Sequence, residues 1–264
     1  VVLLRTYRLL LIILASLFFL ATGIGVLVFL IAGQSTLARA RALCAMLWAK
    51  TMCGILGIRI NKGGELVGER DSFTVCNHIS YLDIFVLGSI RPSVFLAKHA
   101  VRNWPIAGWM ANLAGTVFIN RESKKNAVDA MGVMEDRIDS GVNVVMFPEG
   151  TTSDGKRINP FKSSLFNLPA GRNFTVSPLS IRYTGINGKY VTPDMLDKIA
   201  WYGEMRLVPH FWDLLGLRSI EAALHFNPVI EPSGHSVSLS IARKRLCTLS
   251  YESIVSGFAH CGQK

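Results

Sequence analysis

The chain has 264 residues, of which 50% are hydrophobic and 17% charged, against roughly 25% charged in a typical soluble domain. This composition excludes a disordered chain, a collagen-like repeat and a small disulfide scaffold. The formal net charge is +10, and residues 1–60 hold six Lys or Arg and no Asp or Glu, a basic apolar front end that reads as membrane-seated and not as a nucleic-acid binder.

Residues 9–38 carry no charge, and 9–32 are densely apolar. As a helix, 9–32 would be about 36 Å long, enough for a hydrocarbon core of roughly 30 Å. The apolar core of a secretory signal runs only about 7–15 residues, so this stretch reads as a retained anchor. A second apolar stretch, 42–58, has Lys50 as its only charge. It is read either as a second membrane helix or as a buried helix of the body. Single span and shallow hairpin both remain open. Arg5 and Arg8 precede the first stretch, and Arg39, Arg41 and Arg59 flank the second. These basic flanks are expected to meet anionic lipid and to keep the body on the cytoplasmic side. The expected division is 1–60 for the membrane-anchoring helices and 61–264 for the body.

Past Asn61, short runs rich in Val, Ile, Phe and Thr alternate with helical stretches. Strands are expected at 72–76, 93–97, 116–120, 143–147 and 175–183. Helices are expected at 80–88, 105–114 and 123–140. In the last, Ala127, Ala130, Met131, Met134 and Ile138 share one face. The aromatic-rich region 193–216 reads as helical, 219–230 as a further strand, and 236–258 as a closing helix. The alternation implies an α/β fold, a largely parallel sheet flanked by helices.

In such sheets, sites form where strands end. Three strand ends carry polar residues. After Cys76 come His78 and Asp83. With Ser80 as N-cap, Asp83 is at the third helical position, so it either caps the helix or holds one nitrogen of His78 and leaves the other as a base. Arg121 follows an apolar strand just before a helix start, where an Arg can meet a phosphate or stay solvated. Phe147-Pro148-Glu149-Gly150-Thr151-Thr152-Ser153 sets a carboxylate, a glycine and three hydroxyls directly after a buried strand. This is either a simple turn or a cradle for a polar head group. Ser153 to Lys156 matches S-x-x-K, but the S-D-N and K-T-G partner motifs are missing, as is G-x-S-x-G. The five cysteines have no C-x-x-C spacing and, with the histidines, no zinc-ligand spacing, so free thiols in a reducing compartment and no metal site are expected.

In this order and spacing the stretches resemble the 1-acyl-glycerol-3-phosphate acyltransferase family of membrane glycerolipid acyltransferases. The family's N-H-x4-D block lies on Asn77, His78 and Asp83, and its G-x-x-F-I-x-R block on Gly115 to Arg121. F-P-E-G-T lies on Phe147 to Thr151, and the apolar strand with Pro on Val176, Ser177, Pro178 and Leu179. The resemblance runs from about residue 72 to 183. The chain departs at Thr152, where many members have Arg, and at Ser177, which interrupts V-P. The Thr-Thr-Ser-Asp-Gly continuation, with Pro160 to Phe166 after it, is similar to bacterial members that acylate lyso-ornithine lipid.

The resemblance implies a membrane-bound O-acyltransferase. It would move an acyl group from acyl-CoA or acyl-carrier protein to a lysolipid hydroxyl, with 1-acyl-glycerol-3-phosphate as acceptor and lyso-ornithine lipid as the alternative. His78 would be the base and Asp83 its orienting partner. Lys98, Arg121, Glu149, Gly150 and Thr151 would hold the acceptor and its phosphate. The thioester is the co-substrate and no other cofactor is implied. The partners would be the bilayer, the lysophospholipid and the donor, at the inner membrane or another cytoplasm-facing membrane. The rival class is a non-catalytic lipid-binding protein, which would keep Arg121 and Glu149 without needing His78 beside Asp83.

Overall fold

The computed structural model describes residues 1–26, 31, 33–64, 73–120, 124–232 and 237–261. The end of the predicted first helix (27–30 and 32), Ser72, the start of the closing helix at 236, and Arg121 with its neighbours at 122–123 lie outside the described residues.

Two long helices come first, α1 (Val2–Gly25) and α2 (Gln34–Leu56). Strand β1 (Ile58–Gly64) follows, then β2 (Phe73–Cys76), α3 (Leu82–Gly88), β3 (Ser93–Lys98), α4 (Ala107–Leu113) and β4 (Val117–Ile119). The chain continues through α5 (Lys124–Asp139), β5 (Asn143–Met146), α6 (Asn167–Gly171), β6 (Val176–Ile186) and β7 (Lys189–Tyr190). It closes with α7 (Leu207–Leu214), β8 (Ile220–Phe226) and α8 (Leu239–His260). The sheet order is β1-β8-β6-β2-β5-β3-β4, with β7 hairpinned onto β6. From β6 to β4 all neighbours are parallel. β8 runs antiparallel to β6 and carries β1 parallel to itself, so the sheet is mixed but mostly parallel.

Alternate residues of each central strand face opposite cores, as a period of two demands. Phe73, Val75, Val144 and Met146 join one cluster with Met134 and Ile138 of α5 and Leu246 and Ile254 of α8. Cys76, Val145, Ile181 and Tyr183 join the other with Leu82 and Val86 of α3 and Leu214 of α7. Both faces are covered by helices, which is why these strands read as nearly continuous apolar runs.

Three features differ from the sequence reading. Strand β1 was not expected. The second helix stops at Leu56 because Gly57 takes a left-handed conformation (φ 69°), and the chain turns into the sheet edge. The region 193–216 is not one helix. A short 3-10 turn, Pro193–Lys198, and α7 flank a loop whose Trp201 donates its main-chain N–H to Ile79. The front end divides unequally. α1 is, among the described residues, the helix long and apolar enough to cross a bilayer, and it exposes Leu3, Leu10, Leu17 and Phe18. α2 instead buries Ala42, Ala49, Met52 and Leu56 against the body. Arg5 and Arg8 are not free lipid-facing flanks. Arg5 pairs with Asp213 at 2.9 Å, and buried Arg8 donates to the carbonyls of Leu215, Leu217 and Arg218.

Candidate active site

The C-terminal ends of β2, β5 and β3 lie side by side, so the turns after them meet at one edge. Asn77 closes the first turn. Its amide donates to the carbonyl of Ile181 and accepts the Ile181 N–H, both at 2.9 Å, which extends the β2–β6 pairing by one side chain.

His78 stands in the turn before α3, and its Nδ1 is 2.8 Å from Oδ2 of Asp83. The same oxygen accepts the main-chain N–H groups of Ile79 at 2.6 Å and Ser80 at 3.0 Å. Asp83 therefore caps the turn and holds the imidazole at once, so the two readings of this residue are compatible. Ser80 is not the side-chain cap expected of it; α3 begins one residue later than that reading requires, and no side-chain bond caps it. The other oxygen of Asp83, which is fully buried, accepts the hydroxyl of Tyr183 at 2.7 Å. An anionic carboxylate with four donors fixes Nδ1–H as the donor and leaves Nε2 as a proton acceptor. The imidazole lies flat on Phe147, ring centroids 3.9 Å apart and 11° from parallel.

The turn after β5 wraps the backbone of His78. Glu149 accepts the His78 N–H at 2.7 Å on one oxygen and the Asn159 N–H at 2.9 Å on the other. Ser153 donates both its N–H and its hydroxyl to the His78 carbonyl, at 2.8 and 3.0 Å. Burial pushes the Glu149 carboxyl up to about 7, against the pull of those two N–H donors. Glu149, read from sequence as touching the acceptor, has both oxygens turned inward, and it is 2% exposed. Gly150 adopts φ 73°, a conformation that a side chain would strain. Thr151 next to it is exposed. Lys98 ends β3 at the exposed rim, paired in register with Ile119 of β4, the strand that leads toward Arg121.

The structure thus gathers His78, Asp83 and Glu149 into direct contact, with Gly150 and Thr151 in the adjoining turn and Lys98 on the rim. Tyr183 was missed, and Ser153, read as one of three hydroxyls for a head group, instead holds the His78 carbonyl. A strand tyrosine carries no local signal, and the direction of a turn serine is not readable; only the fold brings them to Asp83 and His78.

An apolar cavity of about 440 Å³ lies among α1, α2, α3, β3 and α4, within the range of single-ligand pockets. Phe19 of α1, Trp48 of α2, Phe85 of α3, Phe95 of β3 and Ala111 of α4 line it, together with Tyr81 of the turn that holds His78. Phe95 stacks on Phe147, the ring beneath His78, which connects cavity and imidazole.

Residues 59–182 match the acyltransferase family profile. The chain is 36% identical over 203 residues to the lyso-ornithine lipid O-acyltransferase of Rhizobium meliloti, covering 74% of this chain and 70% of that one. It is 32% identical over 150 residues to the 1-acyl-sn-glycerol-3-phosphate acyltransferase of Neisseria gonorrhoeae, covering 57% and 56%. The crystal structure of the 1-acyl-sn-glycerophosphate acyltransferase from Thermotoga maritima has the same fold, with a TM-score of 0.66 and 21% identity over 98% of both chains.

Proposed function

The chain belongs to the acyltransferase family, and on that premise we propose that it moves a fatty acyl group from a thioester to the free hydroxyl of a lysolipid. The observation that carries this reading is the His78–Asp83 pair, Nδ1 to Oδ2 2.8 Å, linked through the rings of Phe147 and Phe95 to an apolar cavity of about 440 Å³. A lipid hydroxyl is a poor nucleophile at neutral pH. His78 Nε2 takes its proton as the oxygen attacks the thioester carbonyl carbon, and Asp83 stabilises the imidazolium. The tetrahedral intermediate expels the thiolate, which recovers the proton from His78, so an ester and a free thiol leave. No covalent acyl-enzyme is required, and the thioester supplies the activated acyl group without a further cofactor.

The cavity accepts the acyl chain. Leaving each CH₂ in water would cost about 0.8 kcal/mol, so the site works best at a bilayer surface. The exposed apolar side chains of α1 supply that seat, at the inner membrane or another cytoplasm-facing membrane. Lys98 and Arg121 meet the anionic head group, and Gly150 and Thr151 line its approach. The donor is acyl-CoA or acyl-carrier protein, both anionic and suited to a chain of net charge +10.

For the acceptor we favour lyso-ornithine lipid, because similarity to the Rhizobium meliloti enzyme runs over 203 residues, against 150 for the Neisseria gonorrhoeae enzyme. The second reading, 1-acyl-glycerol-3-phosphate, rests on the N-H-x4-D and F-P-E-G-T blocks and on Lys98 at the rim. The test offers purified protein a labelled acyl thioester with each acceptor separately in vesicles. Label in the acylated ornithine lipid supports the first reading, and label in phosphatidate supports the second. Label in neither overturns the acyltransferase reading.

A further inference from the structure

We propose that Tyr183 is a positioning residue of the acyl-transfer reaction, its hydroxyl setting the orientation and the proton affinity of the His78–Asp83 pair. This rests on the acyltransferase reading of that pair. Oδ2 of Asp83 is shared by His78 Nδ1 and the N–H groups of Ile79 and Ser80, whereas Oδ1 accepts the Tyr183 hydroxyl at 2.7 Å. A carboxylate gripped on one oxygen only can rock about its own axis. The phenol on the second oxygen stops that motion and draws part of the negative charge away from the imidazole.

The backbone delivers Tyr183 to this point. The Asn77 amide pins Ile181, and Tyr183, two residues on, faces the same side of the sheet. The β6–β8 ladder shifts register between Tyr183 and Gly185, and such irregularities re-aim a strand's side chains. Burial, then the charge of Asp83, pushes the phenol well above its ordinary range, so it stays a donor. The titratable groups around the pair are Glu149, which faces His78 and Asp83, and the thiols of Cys76 and Cys53. Burial raises both thiols, so they stay neutral near pH 7.

Tyr183→Phe keeps the ring in the core and removes only the donor. A donor to the anionic form lowers proton affinity, so its loss raises the proton affinity of the pair. The acid limb of the kcat profile should move to higher pH by about one unit, so that activity below the limb falls about tenfold. KM for both substrates should stay at the parent value. A merely structural tyrosine would lower the melting temperature and leave the limb in place, and that outcome overturns the proposal. Genetically encoded 3-fluorotyrosine at 183, a stronger donor of nearly the same shape, should move the limb to lower pH. It decides the matter if the Phe variant does not fold, and an unmoved limb there also overturns the proposal. A parent protein without acyl transfer would instead bring down the acyltransferase reading itself.

Discussion

The carboxylate of Glu149 accepts the main-chain N–H of His78 at 2.7 Å, so a residue of the F-P-E-G-T stretch supports the base from within. Its other oxygen holds Asn159, which ties the loop after β5 to the turn before α3.

This contact gives a pH dependence with a definite sign. Burial raises the Glu149 carboxyl to about 7. The unfolded chain releases that proton near pH 4.5, so between about 4.5 and 7 only the folded state keeps it. The contribution of this group to stability is therefore full at lower pH and is lost as pH rises through about 7. Glu149→Gln, which cannot ionise, should flatten this part of the pH dependence of the melting temperature. It should also lower kcat while acceptor KM stays unchanged. A rise confined to acceptor KM would return Glu149 to the head-group role read from sequence.

Asp83→Asn should lose activity and stability together, because the same carboxylate orients His78 and caps two N–H groups. Turnover should fall by about 10²–10⁴-fold, and the melting temperature should fall by several degrees. A stability loss with turnover preserved would leave Asp83 as a cap of the turn before α3 only.

Ala111 of α4 lines the apolar cavity and is only half-buried. Ala111→Phe should fill part of that volume without breaking the packed core. Activity with long-chain thioesters should fall, while activity with short-chain thioesters is retained. An equal loss for all chain lengths would mean that the acyl chain lies elsewhere.

The strand ends were legible in sequence because buried parallel strands are apolar runs that stop abruptly at polar residues. His78, Asp83, Glu149 and Gly150 were found in this way. The direction of Glu149 was not legible, because a carboxylate after a strand looks the same whether it faces a ligand or a buried N–H. Tyr183 alternates like any core residue, and its partner is 100 residues away. Arg8 looked like a membrane flank. Its true seat depends on the distant carbonyls after α7 and on Gly57, where a side chain would meet the Arg218 carbonyl at 2.6 Å. The loop after residue 198 misled the helix reading because its aromatic residues pack against the rest of the fold and not along a helix face; Tyr81 and Trp104 both stack edgewise on Trp201.

In the proposed reaction His78 is the base for acyl transfer to a lysolipid hydroxyl. The most direct test is steady-state turnover of His78→Ala with labelled acyl thioester and lysolipid in vesicles, beside a vesicle-sedimentation control. A loss of about 10²–10⁴-fold with vesicle binding unchanged is expected. Turnover within about threefold of the parent, far less than removal of a general base costs, would contradict it.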